Sequence, residues 1–292
     1  MKISEKLNQK KVLISYEVFP PKQQSNLEKM IDTATAITKL NPDFMSVTYG
    51  AGGTTRSNTV EIASKIEQTG TTALAHLTCI GDSISDVHQT ISELKKNKIE
   101  NVLALRGDFP KDFEDKKATI DGLEHASDLV PLLKKEGFCV GGACYPEGHP
   151  ESSNRQTDLE NTKYKVEAGV DFLTTQMFFD NNMLYSYMYQ LQNKGIHIPV
   201  IAGIMPITNS NQVERMVKLS SAYIPAKLLA ICDRFEHNPQ AMRQAGIAYA
   251  TDQIIDLISN GIRGIHIYTM NKSDIAKDIL NNISEIVKAV NQ

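Results

Sequence analysis

Short apolar segments alternate with longer amphipathic segments along this 292-residue chain, and this alternation constrains the fold more than any other feature. The apolar segments are rich in β-branched residues, which is typical of buried strands, and the segments between them are typical of helices. Eight such strands predict an α/β fold of the (β/α)8 TIM-barrel type. A doubly wound open sheet is the alternative, but the strand count and the absence of a linker favour the barrel.

The spacing of these segments predicts where each element lies. We expect strands near residues 12–17, 43–48, 72–78, 101–105, 138–143, 170–176, 198–203 and 264–268. We expect helices near 25–39, 59–68, 83–96, 123–135, 158–168, 182–193, 211–219, 226–235, 239–260 and 274–290. Ser83 or Asp82 is the predicted N-cap of one helix, and Gly169 is predicted to end another. The helices at 226–235 and 239–260 are extra elements between strands seven and eight of a single domain, residues 1–292.

Composition excludes several classes of protein. The formal net charge is −3, so nothing favours nucleic acid or an anionic membrane surface as a partner. No apolar run is long enough to span a bilayer, and the first residues lack the apolar core of a signal peptide, so we expect a soluble cytoplasmic protein. The four cysteines lack zinc spacing and the seven histidines are scattered singly, which predicts reduced thiols and no bound metal.

Polar residues follow seven of the eight predicted strands. In a (β/α)8 barrel, the carboxyl ends of the strands form the rim where ligands bind. Convergence of these groups therefore predicts a site for a large polar ligand. The residues concerned are Glu17, Thr48, Tyr49, His76, Thr78, Arg106, Asp108, Tyr145, Glu147, His149, Thr174, Thr175, Gln176, Tyr268 and Asn271.

Each of these residues also has a structural interpretation, which the sequence alone leaves open. Glu17 either forms a salt bridge to a loop or acts as an acid in a partly desolvated site, where desolvation favours the neutral carboxyl. Arg106 and Asp108 either pair with each other or bind a phosphate and a ring N–H. A lone histidine such as His76 is more often a satisfied core residue. The glycine-rich stretch at 50–53 fails the dinucleotide fingerprint and is more often a tight turn.

Eight motifs, in order from about residue 15 to residue 271, carry a resemblance: SYEVFPPK, SVTYGAGG, HLTC, LALRGD, CYPEGHP, TTQMFFD, GIMP and HIYTMN. With these motifs the chain resembles the bacterial methylenetetrahydrofolate reductases. The resemblance implies a barrel that binds FAD non-covalently without a Rossmann module. It also implies reduction of 5,10-methylenetetrahydrofolate to 5-methyltetrahydrofolate with NAD(P)H, by ping-pong hydride transfer through flavin N5, for methionine synthesis.

The resemblance assigns roles to individual residues. Glu17 matches the general acid that helps to protonate folate N10, so that the ring opens to an iminium that accepts hydride. Asp108 matches the carboxylate beside the flavin and pterin, and is the second expected catalytic residue. The FAD-contacting positions fall on Thr48, His76, Arg106, Gly107, Asp108, Ala126, Tyr145, His149, Asp158, Asn161 and Lys165. The substrate-contacting positions fall on Gln176, Gln212, Met216 and Lys272.

Three residues depart from the family pattern. Tyr164 stands where the best-known members have a basic neighbour of the FAD lysine, and Met216 stands where they have a phenylalanine that stacks on substrate. Lys272 replaces an arginine of some members and meets a folate glutamate only as a point charge. Methionine packs on a ring less rigidly than phenylalanine. We expect the three departures to affect folate affinity more than the chemistry.

Two other functions remain alternatives. One is a related flavin barrel that acts on another imine or amine, in the manner of a proline dehydrogenase. The other is a folate-binding subunit that has lost hydride transfer. The sequence does not decide between NADH and NADPH. The family implies a homo-oligomer, and because the chain lacks the C-terminal extension of eukaryotic members, we do not expect inhibition by S-adenosylmethionine.

Overall fold

Eight parallel strands form a closed barrel. In this computed structural model the described residues are 1–21, 23–49, 56–80, 82–108, 123–213, 216 and 222–292. The strands pair in chain order, and the last pairs with the first, which confirms the predicted (β/α)8 fold. They are β1 (Leu13–Val18), β2 (Phe44–Val47), β3 (Thr72–Thr78), β4 (Asn101–Leu105), β5 (Cys139–Cys144), β6 (Phe172–Thr175), β7 (Val200–Ile204) and β8 (Gly264–Tyr268).

Helices surround the barrel. In the described part of the chain they are α1 (Ile3–Gln9), α2 (Leu27–Thr38), α3 (Arg56–Gln68), α4 (Ile84–Lys96), α5 (Ala126–Lys135), α6 (Arg155–Ala168), α7 (Asn181–Asn193), α8 (Ala226–Phe235), α9 (Pro239–Ser259) and α10 (Ser273–Asn291). Helices α8 and α9 lie between β7 and β8, which confirms the extra helices predicted there. Of the helix predicted at 211–219, residues 211–213 and 216 are helical and the others lie outside the described residues.

Local hydrogen bonds explain where individual helices begin and end. Ser83 is the N-cap of α4, since its hydroxyl accepts a bond of 3.1 Å from the backbone N–H of Asp86. Helix α6 begins at Arg155 rather than at the predicted residue 158, because the Asn154 side chain caps it through the N–H of Thr157 at 2.9 Å. Gly169 ends α6 with a φ of +113°, a left-handed conformation that glycine adopts without strain.

The barrel interior is apolar at its amino-terminal end. Side chains from the first seven strands meet there, and α1 lies across the opening with Ile3 and Leu7 completely buried. The backbone N–H of Ile3 donates a bond of 2.8 Å to Asn101, which fixes this helix to β4. The sequence analysis missed α1, because seven residues give too little periodicity to recognise. The strand residues of this layer are Leu13, Phe44, Leu74, Leu103, Cys139, Phe172 and Ile201.

Most of the remaining core lies between the strands and the surrounding helices. In α10, Ile275, Ile279 and Ile283 are buried, since residues four apart lie on the same face of a helix. A smaller cluster near α8 and α9 is rich in methionine and includes Met177, Phe179, Met205, Met216 and Met242. Among the helices that the structure describes, none is both long enough and apolar enough to cross a membrane.

Candidate active site at the carboxyl end of the barrel

Strand register brings a set of polar residues together inside the barrel. Glu17 of β1 lies opposite Ser46 of β2 and Tyr268 of β8, and Ser15 lies opposite His266. Because alternate residues of a strand face the same side, Ser15 and Glu17 both point into the barrel. The glutamate side chain retains 18% of its exposure, so its carboxylate lies at the boundary between the core and the open rim.

The carboxylate of Glu17 contacts two histidines and one serine. Its Oε2 atom lies 3.7 Å from His76 Nε2 and 3.7 Å from His266 Nε2. The Ser46 hydroxyl donates to the same oxygen at 3.3 Å. These groups come from β2, β3 and β8, so the structure favours the interior-site interpretation of Glu17 over a salt bridge to a loop.

His76 is buried but not satisfied. Its Nε2 atom has no hydrogen-bond partner among the described residues, and burial lowers the pKa of the imidazole from 6.5 to about 4, against the opposing effect of Glu17. The histidine is therefore neutral near pH 7. The hydroxyl of Thr174, also buried, likewise lacks a partner in the described structure. Because buried polar groups are normally paired, both atoms indicate a place for a ligand or water.

These two side chains line a cavity of about 290 Å³, which we call the barrel-mouth cavity. Nine of the predicted rim residues line it: Glu17, Thr48, Tyr49, His76, Tyr145, Thr174, Thr175, Gln176 and Tyr268. The other residues that line it are Leu74, Leu103, Leu105, Ala143 and His266.

A second and larger cavity, which we call the β4–α6 cleft, adjoins the first. Its volume is about 640 Å³, within the range of small-molecule sites, and Leu105, Ala143 and Tyr145 line both cavities. The structure therefore gathers most of the predicted cofactor-binding residues around one continuous space. Those that line the cleft are Arg106, Ala126, Tyr145, His149, Asp158, Asn161 and Lys165.

Two cations lie in the wall of the cleft. Lys165 donates a hydrogen bond to the carbonyl of Ala143, and its ammonium lies 5.9 Å from the centre of the Tyr145 ring. Burial lowers the pKa of this lysine. Arg106 pairs with Glu151 at 2.6 Å, whereas a pair with Asp108 was one of the two alternatives that the sequence left open.

Burial also shifts the neighbouring acids and bases towards their neutral forms. It raises the pKa of Tyr145 to about 12 and lowers that of His149, which contacts the tyrosine edge-on at 4.6 Å. It raises the pKa of Asp158, although Lys165 and a 3.3 Å bond from Ser152 oppose the shift. The cleft thus combines positive charge with acids whose ionised form is disfavoured, which suits an anionic ligand.

Five further predicted residues line neither cavity. Gly107 turns the chain after β4 with a φ of +86°, and a Cβ atom there would lie only 2.9 Å from the Cβ of Thr78. Asp108 follows this turn and is exposed. Gln212 accepts a hydrogen bond of 2.9 Å from the N–H of Thr208. Met216 is buried in the methionine-rich cluster, and Lys272 is exposed at the N-cap of α10.

Some predictions fall outside the described residues, namely Lys22 of the first motif and the glycine turn at 50–53. Where the chain is described, no group of three or more histidine, cysteine, aspartate or glutamate side chains is arranged to hold a metal ion.

Sequence reasoning missed two site residues, His266 and Glu151. A signal for the first was present, because Ser15 and Glu17 alternate on β1 in the same way as His266 and Tyr268 alternate on β8. Polar residues at every second position of a buried strand indicate a polar barrel interior. Glu151 lies in an exposed loop and carried no such signal.

Comparison with known proteins agrees with this geometry. The family model described as methylenetetrahydrofolate reductase matches residues 2–284. The chain is 33% identical over 301 residues to "Methylenetetrahydrofolate reductase (NADH) 1" of Arabidopsis thaliana, covering 98% of this chain and 50% of that protein. It is 32% identical over 277 residues to "5,10-methylenetetrahydrofolate reductase" of Pectobacterium carotovorum subsp. carotovorum, covering 94% of this chain and 91% of that protein.

A solved structure supports the fold alone. An uncharacterized protein from Clostridium thermocellum, described as binding two copies of 5-methyl-5,6,7,8-tetrahydrofolic acid, superposes with a TM-score of 0.67 at 15% identity, over 98% of this chain and 99% of that one. The chain spans about half the length of the plant relative and nearly all of the bacterial one. On the family model and these identities, the chain belongs to the methylenetetrahydrofolate reductase family.

Proposed function

We propose that this chain catalyses the FAD-dependent reduction of 5,10-methylenetetrahydrofolate to 5-methyltetrahydrofolate with NAD(P)H. The observation that carries the proposal is the position of Glu17, a half-buried carboxyl at the floor of a cavity that opens into a cation-lined cleft. Family membership supports the same reaction.

The residues present fit FAD. The diphosphate needs fixed cations and hydrogen-bond donors, which Arg106, Lys165 and Asn161 supply in the cleft. A flavin ring needs polar partners in a space that is otherwise apolar, and the unpaired Nε2 of His76 lies in such a space beside Leu74 and Leu103. The proposed cofactor-binding residues are Thr48, His76, Arg106, Gly107, Asp108, Ala126, Tyr145, His149, Asp158, Asn161 and Lys165.

The chemistry supplied by bound FAD is hydride transfer in two successive steps, first from the reduced nicotinamide and then to the one-carbon unit of the folate. The protein supplies position and protons. Glu17 gives its proton to the ring nitrogen that must leave the one-carbon unit, and the neighbouring neutral histidine leaves no competing cation there. Gln176 lines the same cavity and binds the substrate. Gln212, Met216 and Lys272 are the other proposed substrate-binding residues.

The test separates the two half-reactions. The purified wild-type protein should show an oxidised flavin spectrum that bleaches with NADH under anaerobic conditions and recovers with methylenetetrahydrofolate. The Glu17→Gln variant should still bleach with NADH, but its recovery with folate should slow by a factor of about 10² or more, as expected when a general acid is removed.

The exposed Glu285→Gln variant on α10 is the matched control and should behave as wild type in both half-reactions. A protein that takes up no flavin would contradict the proposed chemistry, and a Glu17→Gln variant that reduces folate normally would contradict the role of Glu17.

A further inference from the structure

A continuous line of hydrogen-bonding groups runs from Glu17 through the barrel interior. Ser46 Oγ lies 3.3 Å from Glu17 Oε2 and 3.1 Å from His266 Nε2. On the far side of the ring, His266 Nδ1 lies 2.8 Å from Ser15 Oγ, which also lies 3.1 Å from the carbonyl oxygen of Ile265. We call Ser46, His266 and Ser15 the relay; all three are at least 98% buried.

When Glu17 is protonated, every group of the relay is paired in one arrangement. The carboxyl donates to Ser46 Oγ, and the Ser46 hydroxyl donates to the bare Nε2 of His266. Nδ1–H of the ring then donates to Ser15, whose own proton goes to the carbonyl of Ile265. The neutral histidine carries its proton on Nδ1 in this state.

When Glu17 is ionised, the same atoms pair in the opposite direction. The Ser46 hydroxyl turns and donates to the carboxylate, and its oxygen now accepts from His266 Nε2–H. The bare Nδ1 accepts the proton of Ser15. Two hydroxyl rotations and a change of tautomer convert one state into the other, and the imidazole remains neutral in both. Proton count balances, because the relay gains and loses none while Glu17 loses one.

We propose that this relay keeps Glu17 paired before and after it releases its proton, with His266 as a positioning residue that changes tautomer with the charge of the carboxyl. Without such a change, ionised Glu17 would leave two buried lone pairs facing each other across Ser46, an arrangement that is costly in a dry interior.

The other titratable groups that face Glu17 do not replace His266 as the group that changes with the charge of the carboxyl. Burial lowers the pKa of His76 to about 4, so this ring remains neutral near pH 7. Burial raises the pKa of Tyr268, and its hydroxyl donates to the carbonyl of Thr175 at 2.7 Å. Phe44 stacks on the His266 ring with centroids 5.7 Å apart and planes inclined by 10°, which restricts rotation of the imidazole.

Nitrogen NMR of the imidazole tests the relay without any cofactor or substrate. The wild-type protein, labelled with ¹⁵N-histidine, is titrated over the whole pH range in which it stays folded, with the His266 signals assigned from a His266→Gln variant. We expect His266 to change from the Nδ1–H to the Nε2–H tautomer as pH rises, and to keep one tautomer throughout in Glu17→Gln. A single tautomer in the wild type, or an imidazolium, would overturn the proposal.

The kinetics of the Ser46→Ala variant test how the relay affects folate reduction. This second measurement rests on the proposed function. Removing a hydroxyl that donates to the carboxylate disfavours ionised Glu17, so the alkaline limb of the folate half-reaction should move to higher pH by about one unit. The rate on the plateau below this limb should fall about tenfold, because Ser46 no longer positions the carboxyl, while the NADH half-reaction should not change.

Ser64→Ala in α3 is the matched control, since it removes a serine hydroxyl whose partner is Asn97, away from the barrel interior. An unshifted pH profile in Ser46→Ala, with normal turnover in the wild type, would refute the relay and leave the proposed function intact. A wild type without folate turnover would refute the function, while the NMR titration would still decide the relay.

Discussion

The two ends of the barrel interior are built from the same strands and yet have opposite chemistry. At the amino-terminal end, Leu13, Phe44 and Phe172 pack against Ile3 and Leu7 of α1, and all five are completely buried. At the carboxyl end, glutamate, histidine and threonine side chains surround a cavity and leave buried polar atoms without partners among the described residues. One end therefore stabilises the fold and the other retains unsatisfied groups for a ligand, as is usual in barrel enzymes.

The comparison shows why a single strand serves both purposes. Leu13, Ser15 and Glu17 lie at every second position of β1 and thus face the same interior, one layer above another. Moving four residues along the strand changes the environment from a close-packed core to the floor of a cavity. The predictions below follow from this separation.

The largest effect should come from the apolar end. The Phe172 ring is completely buried and packs directly on the backbone of Gly141, where a Cβ atom would lie only 2.6 Å from the ring. Phe172→Ala would therefore leave a large cavity. We expect a loss of about 3–5 kcal/mol in the free energy of unfolding, measured by urea denaturation. FAD affinity below the transition should remain that of the wild type. Weakened FAD binding by a folded variant would mean that the two ends are not independent.

The next effect concerns the polar end and its dependence on pH. His76 has a pKa of about 4 in the folded protein and 6.5 when unfolded, so the unfolded state binds the proton first as pH falls. The stability that depends on neutral His76 is fully present above about pH 6.5. As pH falls towards 4, protonation of the unfolded state lowers the free energy of unfolding by up to roughly 3 kcal/mol. A His76→Asn variant should lose less stability over that range. Parallel losses in both proteins would show that His76 ionises freely.

A smaller effect is expected for Lys165→Met in the cleft. The methionine removes a buried cation and its desolvation penalty, so the free energy of unfolding should change by less than about 1 kcal/mol. The dissociation constant for FAD should nevertheless rise about tenfold, measured by flavin fluorescence. Lys163→Met, on the same helix but paired with Glu167 on the surface, is the control and should bind FAD normally. Equal affinity in both variants would exclude Lys165 from the cofactor site.

The smallest effect should come from the turn after β8. Asn271 has a φ of +57°, and its side chain both accepts from the N–H of Phe19 at 3.0 Å and donates to its carbonyl at 2.9 Å. Asn271→Gly keeps the backbone conformation and removes both bonds, so we expect a loss of about 1 kcal/mol by thermal denaturation. Because Phe19 closely follows Glu17, the folate half-reaction should slow more than the NADH half-reaction. Equal slowing of both would argue against a role in placing Glu17.

The elements and the site differ in how far the sequence predicts them. The eight strands follow from short β-branched runs, a local pattern that burial on both faces of a parallel sheet requires. Motifs at the strand ends predicted a shared rim, and the structure places Glu17, His76 and Tyr145 together there. The partner of Arg106 was not predictable, since Glu151 reaches it from a loop whose conformation depends on the rest of the fold.

By itself, therefore, the sequence determined the alternation of strands and helices, the barrel and the residues at its rim, because periodicity and chain order are local properties. Only the tertiary structure decided that α1 closes one end and that Ser15, Ser46 and His266 form one hydrogen-bonded line beneath Glu17. The two contacts of His266 join residues more than 200 positions apart, and their distances depend on strand register and barrel closure. No local pattern contains that information.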